Sequence, residues 1–242
     1  MNLVRVIGAG RAGRSFAAAI DDLDDWAVRD VRGRGVSIEN AASDVDLVLI
    51  ATPDESIADV ASAIEPGRAV VAHVAGSLGL DVLAPHEHRA ALHPLMSLPD
   101  PVIGAERLRS GWFAVAGDPI VTRMAEALDG HCFVIDDDDR ALYHAAAAIA
   151  SNHLVALLGH AERVGAVAGV PQEALLGLAL ASADNARSLG PAAALTGPAA
   201  RGDEATLAAH LEVLGRRAPQ ELAAYEAMLT EARRLAAPSA ER

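Results

Sequence analysis

The sequence predicts an α/β fold, a doubly wound domain followed by an all-helical one, on three observations. From residue 1 to about 136, short apolar runs alternate with helical segments, as in a parallel sheet covered on both faces. A glycine-rich turn joins the first apolar run to the first helical segment. After the acidic run Asp136-Asp137-Asp138-Asp139 no strand-like run recurs, and helical pattern continues to about Ala236. A length of 242 residues suits two domains, which this pattern places at 1–136 and 137–242.

Taken in order, strands are expected at 3–7, 26–31, 47–51, 69–73, 112–116 and 132–135. Helices are expected at 11–20, at 55–64 with Asp54 as N-cap, and at 119–128 with Gly130 ending it. In the second half, breaks fall at Gly169-Val170-Pro171, Gly190-Pro191 and Gly197-Pro198, and Asp203 is placed to cap a helix running through Leu211. The four aspartates are read as capping and complementing the next helix, not as a cation site, because consecutive carboxylates do not converge on an ion.

Charge narrows the partners. Twenty Lys and Arg against 33 Asp and Glu leave a net charge of −13, a surface that repels nucleic acid and anionic membranes. The single cysteine, Cys132, has no internal disulfide partner and fits a reducing cytoplasm; no secretory signal is evident at the start. Residues 141–160 carry no Asp, Glu, Lys or Arg and are long enough to span a bilayer, but His144, Asn152, His153 and His160 favour a buried helix of an oligomer. His86-Glu87-His88 with His93 lacks metal-ligand helical spacing and is read as solvated helix surface, so no metal is expected.

The chemistry begins at Gly8-Ala9-Gly10-Arg11-Ala12-Gly13, a G-x-G-x-x-G turn between a predicted strand and a predicted helix. Gly8 allows the tight turn, Gly10 lets backbone approach a pyrophosphate, and Gly13 lets the helix pack on the strand. The helix N-terminus faces the phosphates. A reader of NAD carries an acidic residue about 20 positions on, at the end of the second strand. Asp30 lies near that distance, but the strand is read to continue into Arg32-Gly33-Arg34, which puts guanidinium groups at the ribose and favours the 2′-phosphate of NADP(H). Arg34 is the principal candidate, with Arg32 as helper and Arg11 over the pyrophosphate or adenine.

Ligands in open α/β sheets sit beyond the carboxyl ends of the strands. There the sequence offers Thr52-Pro53-Asp54, His73-Val74-Ala75-Gly76-Ser77 and, in the region read as a loop, His93-Pro94. Together with Gly33-Arg34, Ala150-Ser151-Asn152-His153 and Leu195-Thr196-Gly197-Pro198-x-x-Arg201-Gly202-Asp203, in this order over nearly the whole chain, these segments resemble the Rossmann-like oxidoreductases with a helical C-terminal domain of unknown function. That group looks like a compact relative of ketopantoate reductases, pyrroline-carboxylate reductases and 6-phosphogluconate-type dehydrogenases.

The resemblance implies NADPH-dependent reduction of a small carbonyl or imine, with ketopantoate the leading substrate, a dimer built through the helical domain, and Thr52, Pro53 and His73 beside the cofactor. The lysine that related dehydrogenases carry on the first C-terminal helix is missing here. A carbonyl oxygen still needs a proton as hydride arrives, and His144 is the expected donor. Asn152 and Ser77 are the expected positioning groups, with His144, Ser151 and Asn152 sharing a helix face by their spacing of seven and eight residues. The competing expectation is a dinucleotide-binding sensor or scaffold without chemistry.

Overall fold

The structure is a computed structural model and describes residues 1–237. The chain forms two compact units, Met1–Ile149 and Ala150–Arg242, so the division falls after Ile149 and not after residue 136. The first unit is built on seven strands: β1 (Asn2–Ile7), β2 (Trp26–Arg32), β3 (Leu47–Ile50), β4 (Val70–His73), β5 (Arg89–Pro94), β6 (Trp112–Gly117) and β7 (His131–Val134). Their order in the sheet is β2-β1-β3-β4-β5-β6-β7. Every neighbouring pair is parallel except β5 and β6, which run antiparallel. The chain leaves β1 toward β2 on one side and returns to β3 on the other, so the order reverses between β1 and β3. That reversal opens a crevice at their carboxyl ends.

Alternating side chains bury both faces. Val4, Val6, Leu47, Leu49 and Ala72 pack with Phe16 and Ile20 of α1 (Arg11–Ile20), Leu108 of α3 (Pro101–Leu108) and Met124 of α4 (Ile120–Ala127). Ile7, Val48, Ile50 and Val71 pack with Ile57 and Ala61 of α2 (Ile57–Ser62), and with Ile64 and Leu83. Continuous apolar runs such as Leu47–Ile50 are what a strand buried on both faces requires.

Three elements depart from the expectation. Residues 89–94 form β5, where a loop was expected; Arg-Ala-Ala-Leu-His-Pro has little β-branched character, and its pairing with β4 and β6 overrides that weak local preference. The helix α3 starts at Pro101, with Asp100 capping it by accepting from the backbone N–H groups of Val102 and Ile103. Asp54 does not cap a long helix: it opens a 3₁₀ turn, Asp54–Ser56, before the shorter α2, and its carboxylate accepts from Ser77. His86 is buried just ahead of β5, where Nε2 meets the Ala61 carbonyl at 2.9 Å, so it is not solvated helix surface.

The aspartate run forms the turn Asp137–Asp139 with no side-chain cap. Asp137 instead accepts from Arg140 Nε at 2.8 Å and from the Leu80 N–H at 3.2 Å, tying the start of α5 (Arg140–Ala148) to the loop after β4.

The second unit contains α6 (Leu154–Ala168), α7 (Gln172–Leu189), α8 (Pro191–Ala194), α9 (Pro198–Arg201), α10 (Glu204–Arg217) and α11 (Leu222–Ala236). The expected breaks are there. Gly169 ends α6 with φ +75°, in the left-handed region, and Pro171 precedes α7. Asp203 caps α10 by accepting from the Thr206 N–H at 3.1 Å. Buried Glu221 accepts from Arg163 Nε at 2.7 Å and lies 2.8 Å from His160 Nδ1, clamping α6 to the turn before α11.

Asp137–Ala168 is a 32-residue helical run long and apolar enough, by length and composition, to cross a membrane. Within it, Arg140 and Arg163 are held in ion pairs with Asp137 and Glu221.

Candidate functional site

A cleft of about 550 Å³ opens at the β1/β3 reversal. Its walls include Gly8, Ala9 and Gly10 of the glycine turn, the Arg32-Gly33-Arg34 end of β2, and Thr52 and Pro53 after β3. The glycines divide their work. A Cβ on Gly8, which has φ +117°, would lie 2.5 Å from the Ala51 carbonyl oxygen, and one on Gly13 would lie 1.9 Å from that of Gly8. Those two glycines permit the turn itself. A Cβ on Gly10 would meet nothing within 4 Å, so the absent side chain there leaves room for a ligand.

The cleft suits an anion. Gly10 is the N-cap of α1 but supplies no side-chain bond, and the first turn holds no acidic residue, so the positive end of the helix stands uncompensated. Arg11 is exposed at the first position and Ala12 is half-buried behind it. Thr52 presents a buried Oγ1 with no hydrogen-bond partner, a group a bound ligand would satisfy. These residues fit a dinucleotide: glycines where its backbone must be approached, a helix N-terminus for the pyrophosphate, and arginines at the far wall.

The arginines are not equivalent. Arg32 donates to the Ser37 carbonyl and to Asn40 Oδ1, both at 2.9 Å, and so fixes the loop after β2. Arg34, on the same wall, is exposed. Asp30 faces away toward Arg5 Nε at 2.8 Å. Burial raises its pKa, but the Arg5 hydrogen bond and the charges of Arg5 and Arg32 outweigh that and hold it below the usual carboxylate range.

Beyond Thr52 and Pro53 the first unit gathers a polar group. Ser77 Oγ donates to Asp54 Oδ2 at 2.9 Å, next to the cleft wall. Ahead of it in the same loop is buried Gly76, whose missing Cβ would lie 2.8 Å from His93 Nε2 and 3.0 Å from His144 Cδ2. His93, at the end of β5, meets Tyr143 of α5 through Nδ1 at 2.5 Å. Burial pulls His93 down to about 4 and pushes the Tyr143 phenol up to about 12, so both are uncharged at neutral pH.

His73 lies elsewhere than expected. It is fully buried and does not line the cleft. Its Nδ1 accepts from the Ala75 N–H and its Nε2–H donates to the Gly79 carbonyl, both at 3.2 Å, so the ring braces the loop that carries Gly76 and Ser77. Burial lowers its pKa to about 4. Arg140 lies nearby at 1% exposure, with Nε paired to Asp137 and both Nη atoms without a hydrogen-bond partner.

Of the expected substrate-side residues, His144 lies against Gly76, the residue before Ser77, whose own hydroxyl bonds Asp54. Asn152 belongs to the second unit, where its Oδ1 accepts from Ser151 Oγ at 2.9 Å. Its spacing from His144 assumed an unbroken α-helix, whereas five residues of π-helix, Ile149–His153, intervene and change the phase. Tyr143 escaped the sequence reading altogether. The only available signal was its place beside His144, since nothing local shows that β5 carries His93 to it.

Residues 114–232 match the family model described as Domain of unknown function (DUF2520). No curated protein sequence matches the chain. Among solved structures, a protein from Thermotoga maritima is 24% identical with a TM-score of 0.74, over 96% of this chain and 98% of that one. A Bacteroides fragilis protein, described as a candidate NADP oxidoreductase, is 19% identical with a TM-score of 0.76 over the same shares. The 1-pyrroline-5-carboxylate reductase of Streptococcus pyogenes is 15% identical with a TM-score of 0.64, again over 96% and 98%. The chain therefore has the fold of Rossmann-type oxidoreductases that carry a helical C-terminal region.

Proposed function

We propose that this protein is an NADPH-dependent reductase of a small carbonyl or imine metabolite. The observation that carries the reading is the cleft at the β1/β3 reversal, where an open Gly10, an uncompensated helix N-terminus and exposed Arg34 converge. Gly8 to Gly13 would hold the pyrophosphate, Arg34 the 2′-phosphate, and Thr52 and Pro53 the wall nearest the nicotinamide, with His73 bracing the adjoining loop. The bound cofactor would supply the hydride. The polar group at Gly76 supports a substrate site next to it: Ser77 would position the substrate and His144 would hydrogen-bond its reacting oxygen or nitrogen.

Ketopantoate leads the substrate panel, and a pyrroline carboxylate is the imine to set beside it, in keeping with the fold shared with a pyrroline-carboxylate reductase. A homodimer formed through the helical unit is part of the proposal. It is supported by α7, which has no buried residue and exposes Leu178 at 66% and Leu180 at 73%. A lone cysteine fits residence in the cytoplasm.

The test is oxidation of NADPH, followed by its absorbance, with ketoacids and cyclic imines as acceptors. Turnover of any acceptor supports the reductase. Tight NADPH binding without turnover across the panel favours a sensor instead. Sedimentation of the purified protein reads the dimer.

A further inference from the structure

We propose that Tyr143, backed by His93, is the group that delivers the proton to the substrate. This rests on the reductase reading above and assigns the one step that reading leaves without a donor. His144 is solvent-exposed, whereas the Tyr143 phenol is half-buried and held on two sides. The His93 ring meets it edge-on with centroids 5.4 Å apart, and Phe133 of β7 packs against it at 5.7 Å. A general acid fixed in place and partly screened from water is the better placed of the two.

The location is consistent with that role. His93 presents its other ring edge to Gly76, and the His144 ring lies 6.3 Å from that of His93. The loop of Gly76 and Ser77 adjoins the Thr52–Pro53 wall of the cleft through the Ser77–Asp54 hydrogen bond. Asp54, Arg140, His73 and His144 are the charged or titratable groups around His93.

The proton balance is simple. Hydride addition forms a C–H bond at the carbonyl carbon and moves the C=O π pair onto oxygen. The Tyr143 O–H bond breaks as its proton passes to that oxygen. The His93 Nδ1–H proton moves to the phenolate as a solvent proton reaches His93 Nε2, and exchange of the ring proton with solvent returns it to Nδ1 for the next turnover. This needs the tautomer in which Nδ1–H donates to Tyr143 Oη, which leaves the phenolic proton free for substrate. Burial keeps His93 uncharged and the phenol protonated at neutral pH, so the pair is ready without a prior titration. Tyr143 is then a catalytic residue and His93 a positioning residue that acts through it.

The experiment compares Tyr143→Phe, His93→Gln and His144→Ala with the unaltered full chain on its best carbonyl substrate. Tyr143→Phe is expected to lower kcat by about 100-fold or more, in the range for loss of a general acid. KM, NADPH affinity and melting temperature should stay unchanged. His93→Gln should lower kcat less, with KM unmoved. In the cofactor-free protein, the His93 ring ¹⁵N resonances should shift when Tyr143 becomes Phe, a readout independent of turnover. An undiminished kcat in Tyr143→Phe, a loss that tracks falling stability or NADPH affinity, or a larger kcat loss in His144→Ala each overturns the assignment while the reductase stands. No turnover by the unaltered protein on any acceptor overturns both.

Discussion

Asp30 and Arg5 are joined across β2 and β1 at 2.8 Å, and a register shift at Val4/Arg5 is what sets them opposite each other. The bulge spends the acidic residue expected at the ribose on an internal ion pair and lets β2 run on to Arg32. On the proposed reading, exposed Arg34 on the cleft wall is the side chain that would meet a 2′-phosphate. Arg34→Gln should weaken NADPH by about 10- to 100-fold, as expected for losing a charged hydrogen bond of about 1.5–3 kcal/mol. NADH affinity should change little. Fluorescence titration with both cofactors checks this, and equal weakening would remove the basis for preferring NADP.

The glycine turn separates folding from binding. In Gly13→Ala the new methyl would sit 1.9 Å from a backbone carbonyl that has no room to yield. The expected cost is at least the 1–3 kcal/mol typical of overpacking, roughly, and shows as a lowered melting temperature. Gly10→Ala meets open space and should melt like the unaltered protein, yet lose most of its dinucleotide affinity because the methyl occupies the approach to the pyrophosphate.

Acid should weaken the first unit over a defined window. His73 and His93 have pKa values lowered by burial from 6.5 to about 4, so the unfolded chain takes up their protons first as pH falls. Stability is complete above about pH 6.5, declines toward pH 4, and flattens with respect to these groups below that. Denaturant midpoints at pH 7, 5.5 and 4, taken roughly across that interval, should follow this course. His73→Gln should show a shallower slope, and an unchanged slope would exclude His73 as its source.

The helical unit should respond at lower pH. The Arg163 hydrogen bond, then that of His160, holds the Glu221 carboxyl down to about 2 from an ordinary 4.5. Its contribution is present above about pH 4.5 and is lost as pH falls toward 2. Glu221→Gln should lower the stability of this unit at neutral pH and remove that acid-dependent part. Helical circular dichroism during denaturation at pH 7 and about pH 3 measures both effects.

Several parts of this protein were legible because their cause is local. The strand-turn-helix around Gly8, Gly10 and Gly13, the helix breaks at Gly169, Gly190 and Gly197, and the Asp203 cap depend on residues adjacent in sequence. Even the run of β2 on to Arg32 could be read, since the first glycine after Trp26 is Gly33.

What eluded the sequence depends on neighbours far along the chain. Arg89–Pro94 is a strand only because β4 and β6 flank it, and that placement brings His93 to Tyr143, fifty positions away. His73 looks like a cofactor ligand until burial turns its ring to the Ala75 and Gly79 backbone. The π-helix at Ile149–His153 interrupts the helix through which His144 and Asn152 were aligned. By itself, then, the sequence determined the two fold classes and the cofactor turn, because hydrophobic period and glycine geometry act over a few residues. Only the tertiary structure decided which polar side chains meet at Gly76, because desolvation and side-chain contact exist only once the strands have paired.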